Sequence, residues 1–289
     1  MVESEGMNLA DWVETCRSSV APWECDTTEH FTIAYYFDRV DQAASALAER
    51  LDLAGHLNAG VFPRRFSSRF TRELRAGASF HVQSAAIGLD PALCLGHRFV
   101  DSANGEAVTW VEEVWEAARL SDGERKAAGE MLADWTGPEI EERPEPPSIA
   151  GSIPTARGRV KPADLDEFGR FSLAAFVHRF TDAVIQASAA IGLTGDYMKA
   201  ERRGYSTFEL ALRIDGVPGL GDPYVVETGI AHLGSSSIRL LHRMCDPRNG
   251  AEFARLGQFG VQLDLDARRP APLPAEIREH ATRLLLPSA

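Results

Sequence analysis

Two aspartates, Asp26 and Asp166, stand a few residues ahead of long apolar segments with helical spacing. A carboxylate in that place can take a proton from water or attack a carbonyl carbon itself. The amides that open the following helix can stabilise the oxyanion that develops. The plain structural role of such an aspartate is a helix N-cap, and the residues alone leave both roles open. His30, four positions after Asp26, could orient water or substrate, while a local hydrogen bond at a helix start explains it equally simply. Cys25 beside Asp26 is a nucleophile by type, but no base can be paired with it. The four cysteines (Cys16, Cys25, Cys94, Cys245) show neither CxxC pairing nor metal-ligand spacing, so they read as free, mostly buried thiols with no metal implied. There is no G-x-S-x-G elbow, no G-x-G-x-x-G after a strand, no P-loop and no H-E-x-x-H.

The elements that must hold these residues occur twice. At an offset of 140, residues 15–53 align with 155–193, with identities at Thr15/Thr155, Arg17/Arg157, Val20/Val160, Pro22/Pro162, Asp26/Asp166, Phe31/Phe171, Ala34/Ala174, Arg39/Arg179, Ala43/Ala183 and Leu53/Leu193. At an offset of 145 the pattern L-x-H-R-x-x-D-x-x-N-G recurs, from Leu95, His97 and Arg98 to Gly105 and from Leu240, His242 and Arg243 to Gly250. Self-similarity of this order marks a tandem duplication. In each copy a short strand (Thr15–Val20; Thr155–Val160) leads through a proline turn into a helix over 30–51 or 170–191. The first helix carries an apolar stripe at Phe31, Ala34, Tyr35, Val40, Ala43, Ala44 and Leu47; the second is apolar almost all round and must be buried.

Strands follow at 66–75, 78–90, 92–101 and 106–117, and again at 205–215, 222–233, 235–246 and 251–264. Asn-Gly at 104–105 and 249–250 predicts a hairpin in each copy. A small helix closes each copy: Ser121 with Glu124 forms a capping-box signature, and Pro274 suits a first helical turn. The predicted fold class is α+β: two antiparallel sheets, each wrapped around a long central helix. The second copy covers the open edge that a single sheet would leave. Residues 1–135 and 155–289 are the expected domains. Residues 136–154, rich in Pro, Glu and Gly, form the expected extended linker.

The bulk composition suits a soluble protein with two cores: 289 residues, 44% hydrophobic and 25% charged. No run approaches a membrane span, and the acidic, polar start does not read as a secretory signal, so the expected location is cytoplasmic. A net charge of −12 argues against nucleic acid as the main partner.

The segment PWECDTTEHFTIAYYFDRVDQA resembles the signature of the 4-hydroxybenzoyl-CoA thioesterase-like hotdog family, in which E-x-D-x-x-G-H-x-N leads into the central helix. This segment supplies Glu24, Asp26, His30 and Thr32 at those positions, with Glu29 where the family usually has glycine. The second copy supplies Asp164, Asp166, Gly169 and Ser172, with Arg170 where histidine is expected. The late strands and the tail RRPAPLPAEIRE are similar too, so the resemblance covers nearly the whole chain. It implies a pseudo-dimer of two hotdog domains that hydrolyses a thioester of CoA or acyl-carrier protein in a cleft between them, without cofactor or metal. Asp26, Asp166 and His30 are then the catalytic candidates, and the backbone around 29–32 and 169–172 the oxyanion hole. Glu29, Thr32, Gly169, Arg170 and Ser172 would line the substrate site.

Arg64 and Arg65 lead a basic segment with Arg69, Arg72 and Arg75, which could hold CoA phosphates or an acidic carrier protein; a solvated strand face is the plain alternative. Lys199, Arg202 and Arg203 lie in the comparable region of the second copy. The repeated His97/Arg98 and His242/Arg243 read as structural residues of strand pairing. Pairs of such domains often associate further, here as a homodimer of double hotdogs. Two other classes stay open. A hotdog hydratase or dehydratase would use His30 with a carboxylate, although the dehydratase run H-F-x-x-x-P-x-x-P-G is absent. A non-catalytic acyl-binding protein would explain the diverged motifs.

Overall fold

The computed structural model describes residues 11–26, 29–116, 118–139 and 143–287. The N-terminal segment 1–10 and linker positions 140–142 lie outside the described residues.

The first unit runs β1 (Val13–Ser19), α1 (Ile33–Arg50), α2 (Ala54–Asn58), β2 (Arg65–Phe70), β3 (Ser79–Gly88), β4 (Leu93–Asp101), β5 (Ala107–Trp115) and α3 (Asp122–Glu130). The second runs β6 (Ile153–Arg159), α4 (Leu173–Ala190), α5 (Gly195–Ala200), β7 (Arg203–Ile214), β8 (Pro223–Leu233), β9 (Ser237–Cys245), β10 (Glu252–Asp264), β11 (Arg269–Pro270) and α6 (Ala275–Thr282). All strands join one antiparallel sheet in the order β1-β3-β4-β5-β2-β7-β10-β9-β8-β6, with β11 beside β10. The seam is β2 on β7, where Arg65 faces Arg213 and Arg69 faces Glu209. Edge strands that a lone unit would expose are thus paired across the duplication. The sheet wraps α1 and α4, which pack on each other and on their own unit's strands. This is the predicted α+β pair of hotdog units.

Both Asn-Gly hairpins form, with Gly105 at φ +74° and Gly250 at +75°. In each, the preceding aspartate accepts a turn amide: Ala103 N on Asp101 Oδ1 and Arg248 N on Asp246 Oδ1. This explains why D-x-x-N-G is kept in both copies. Ser121 and Glu124 make the expected capping box on α3.

Three expectations need correction. The strand expected over 66–75 stops at Phe70, because Thr71 and Arg72 both turn their amides onto Val108 O. Along α1 the buried positions include Tyr36 and Phe37, while Tyr35 is only half-buried. Pro274 sits at the N-cap of α6, one place before the first turn. The linker, although irregular, is strapped to the sheet: Arg143 stacks on Phe259 and pairs with Glu209, Glu145 pairs with Arg255, and Arg239 bonds Pro144 O. The small helices α2 and α5 carry too short a pattern to be seen in the sequence.

Candidate active site

The approach to each central helix has the same build. A short 3-10 turn (Pro22–Glu24; Pro162–Asp164) leads to a bridge of Cys25 with Phe31, or of Leu165 with Phe171, that closes a tight loop. Asp26 sits at the base of the first loop: its amide bonds His30 O at 2.9 Å, and its Oδ1 accepts the His30 amide at 3.1 Å. Asp166 repeats this with Arg170 at 2.7 and 2.8 Å. The N-caps are therefore Thr32 and Ser172, not the aspartates. One loop position needs positive φ in both copies, Glu29 at +64° and Gly169 at +74°. Glycine adopts that conformation without strain; glutamate does not.

Around the first loop the structure opens a cavity of about 640 Å³, well within the range of small-ligand sites. Asp26, His30, Thr32, Tyr36, Phe70, Arg72 and Glu73 contribute from the first unit. The second unit contributes the α4 stripe from Val177 and Phe180 to Ala189, with Leu193, Met198, Tyr205, Leu210 and Gln258. This accounts for a helix that is apolar nearly all round: one face meets its sheet and another lines the cavity. At the wall, His30 Nε2 is 3.0 Å from Glu73 Oε2, and Ser206 of the second unit donates to Glu73 Oε1 at 2.9 Å. Burial pushes the Tyr36 phenol up to about 12, so it stays a neutral hydroxyl; it accepts the Leu74 amide. Thr32 caps α1 through its backbone carbonyl, which accepts the Tyr35 amide at 3.0 Å, while its hydroxyl takes up none of the first-turn amides.

The second loop faces a pocket of only about 70 Å³. Arg170 stands where His30 stands in the first copy; it pairs with Asp166 at 2.9 Å and stacks on Phe62 and Phe168. Ser172 accepts the Ala175 amide, and Asp41 of α1 faces the Ala174 amide at 3.5 Å, so the donors at this helix start are engaged. Trp115, fully buried, helps to wall the pocket. At the 145-residue offset of the hairpins its counterpart is Gly260, as the register shows: Leu93 faces Trp115, and Ile238 faces Gly260. The same offset pairs Glu113 with Gln258. One approach thus opens into a cavity, and the other is filled.

The repeated histidines lie in the core. His97 Nδ1 is 2.7 Å from Ser84 Oγ, which is 2.7 Å from Thr15 Oγ1; His242, Thr228 and Thr155 repeat the chain at the same two distances. Burial depresses His242 to about 3, so its ring is neutral. Both chains tie three strands together, as expected for structural residues. All four thiols are free, with Cys245 buried and the others half-buried.

Of the sequence-predicted residues, the structure brings Asp26, His30 and Thr32 to the large cavity, and Asp166 and Arg170 to the small pocket. Glu29, Gly169 and Ser172 shape the loops and line neither. Arg64 and Arg65 also lie outside both linings; Arg64 bonds Asp215 O and Arg65 pairs with Glu116. Arg202 and Arg203 pair with Asp266 and Asp264. Glu73, Ser206 and Gln258 were not foreseen.

Residues 160–280 match the Thioesterase-like superfamily. The matched residues lie in the second unit. Among solved structures, the chain is similar to an acyl-ACP thioesterase from Bacteroides thetaiotaomicron (TM-score 0.64, 14% identity, covering 84% of this chain and 96% of that one). It is also similar to a protein from Lactobacillus plantarum provisionally termed an oleoyl thioesterase (0.68, 11%, 92% and 98%). A third likeness is to the 12:0-ACP thioesterase from Umbellularia californica (0.59, 12%, 88% and 93%). At such identities the likeness speaks for the fold, the tandem hotdog, over nearly the full length of each chain. A comparison with curated proteins finds no match. No helix among the described residues is long and apolar enough to cross a membrane.

Proposed function

We propose that this tandem hotdog protein is a thioester hydrolase acting on acyl-CoA or acyl-carrier protein, with one working site at the first loop. The observation that carries this is the His30–Glu73 pair at the wall of a large apolar cavity. The other approach has arginine for the histidine and little room. The superfamily match and the thioesterases that share the fold support the reaction class.

In this reading Glu73 orients the His30 imidazole, and His30 takes the proton from an attacking water. The water oxygen bonds the thioester carbon, and the oxyanion is met by first-turn amides of α1. The C–S bond then breaks, and His30 returns the proton to the departing sulfur. Asp26 anchors the His30 backbone. No step needs a metal.

Thiol release from a panel of acyl-CoAs tests this. His30→Gln should lower kcat by about 10² or more, whereas Asp26→Asn, which keeps an oxygen for the His30 amide, should lose less. Loss confined to Asp26→Asn would move the base to that carboxylate. The His30–Glu73 pair also favours a second reading, a hydratase or dehydratase, because such a pair can move a proton alpha to a carbonyl. Hydration of an enoyl-CoA without thiol release would establish it.

A further inference from the structure

The linker crosses the outer face of the sheet where the seam between the units ends. Along β2 and β7 the last rung is Arg69 facing Glu209. Four positions past Arg69 stands Glu73, and three before Glu209 stands Ser206, the two residues that meet at the cavity wall. Both ladders turn irregular at this place. β2 stops at Phe70, and β7 bulges against β10, since Glu209 faces Phe259 but Thr207 faces Gly260. A bulge interrupts the pairing that would otherwise fix the strand.

Two linker residues straddle that rung. Glu139 O accepts Arg69 Nε at 3.0 Å on the first-unit side. On the other, Arg143 donates Nε and Nη2 to the Glu209 carboxylate, each at 3.1 Å, and its guanidinium stacks 4.5 Å from the centre of the Phe259 ring. Glu209 is shared with Arg69, and both of these side chains are mostly buried. A two-bond guanidinium fork on such a carboxylate fixes direction as well as distance. Burial pushes the Glu209 carboxyl up, but Arg143 and Arg69 outweigh it and hold the group below the ordinary carboxylate range. At the other end of the seam, beside the filled approach, Arg65 faces Arg213, and like charges cannot form such a lock.

Resting on the thioesterase reading, we infer that Arg143 is a positioning residue for the candidate site. Through Glu209 and Arg69 it pins the last rung of the seam, and so holds Glu73 of one unit and Ser206 of the other in register beside His30. The connection between the halves is thereby part of the frame of the site.

Arg143→Ala on the full chain tests this by kinetics and by hydrogen exchange. On the best acyl-CoA of the panel, kcat should fall by about tenfold with KM little changed. Arg143→Lys, which keeps the charge without the fork, should lie between. Amide exchange over residues 66–74 should speed up by about tenfold, while β4 stays as it was. Glu145→Gln loosens the linker from Arg213 and Arg255, away from the rung, and should leave kcat unchanged. Unaltered exchange over 66–74 in Arg143→Ala would overturn the inference. So would faster exchange with kcat intact, or an equal fall of kcat in Glu145→Gln. Absence of thiol release from the unaltered chain would overturn hydrolysis alone; faster exchange in Arg143→Ala would then still uphold the pinned seam.

Discussion

Glu73 joins the two units at the candidate site: its Oε2 lies 3.0 Å from His30 Nε2, while its Oε1 accepts the hydroxyl of Ser206 from β7. The first unit supplies both members of the acid–imidazole pair, and the second fixes the carboxylate's orientation. Glu73→Gln should therefore lower kcat by about tenfold or more with little change in Tm. Ser206→Ala should cost only a few-fold, since it removes a support and not the acid. Steady-state kinetics on both variants checks the order; equal effects would place Ser206 in the chemistry itself.

The loop position with positive φ carries glutamate in one copy and glycine in the other. Glu29→Gly should be neutral to stabilising, because relief of the left-handed strain offsets the added freedom of the unfolded chain. Gly169→Ala, with open space around the new Cβ but the same φ, should destabilise by about 1 kcal/mol. Urea unfolding of the pair reads both signs.

Asp41 marks the filled approach. Burial, against the pull of the Ala174 amide and reinforced by Glu113, holds its carboxyl well above the usual carboxylate range. The folded state therefore binds this proton more readily than the unfolded chain. The resulting stability is complete below the ordinary value near 3.8 and is lost as pH rises through the raised folded value. At neutral pH the fold bears the cost of holding this carboxyl against its ordinary ionisation. Asp41→Asn should raise stability at pH 7–8 by on the order of 1 kcal/mol, about 2 °C or more in Tm for a chain of this size. The gain should shrink towards pH 4. A gain independent of pH would show that packing, not charge, was relieved.

Arg39 and Glu24 form a mostly buried pair at 2.5 Å, and Glu24 also holds the loop through the Ala21 amide. Arg39→Ala leaves that carboxylate without its main partner and should cost about 3 kcal/mol. Arg179→Ala, in the second copy, loses a bond to the Tyr224 hydroxyl instead and should cost less. Thermal denaturation of both variants tests the difference.

Much of this architecture is legible in the residues, because duplicated local patterns report on local structure. Asn104-Gly105, Asn249-Gly250 and the stripe of α1 each encode their element in neighbouring positions. Glu73 was not legible as a partner of His30, since they stand 43 positions apart and only the chain turn after β2 brings them together. By type the surrounding arginines suit phosphates, whereas in the fold Arg65, Arg69 and Arg72 pair with Glu116, Glu209 and Glu106. The contrast of Trp115 with Gly260 was available: the 145-residue offset that aligns His97 with His242 aligns these two as well. What no alignment within the chain could show is that the indole walls the small pocket, while over the glycine lies the Tyr205 ring, which lines the large cavity.

That contrast is open only to a fused chain. A symmetric homodimer has one codon for both places, so a tryptophan would fill two pockets and a glycine would loosen two cores. Once the two halves are encoded separately, one can be selected for solidity and the other for capacity. The molecule then has one filled approach and one hollow one, and mutations that widen the hollow approach need not disturb the filled one.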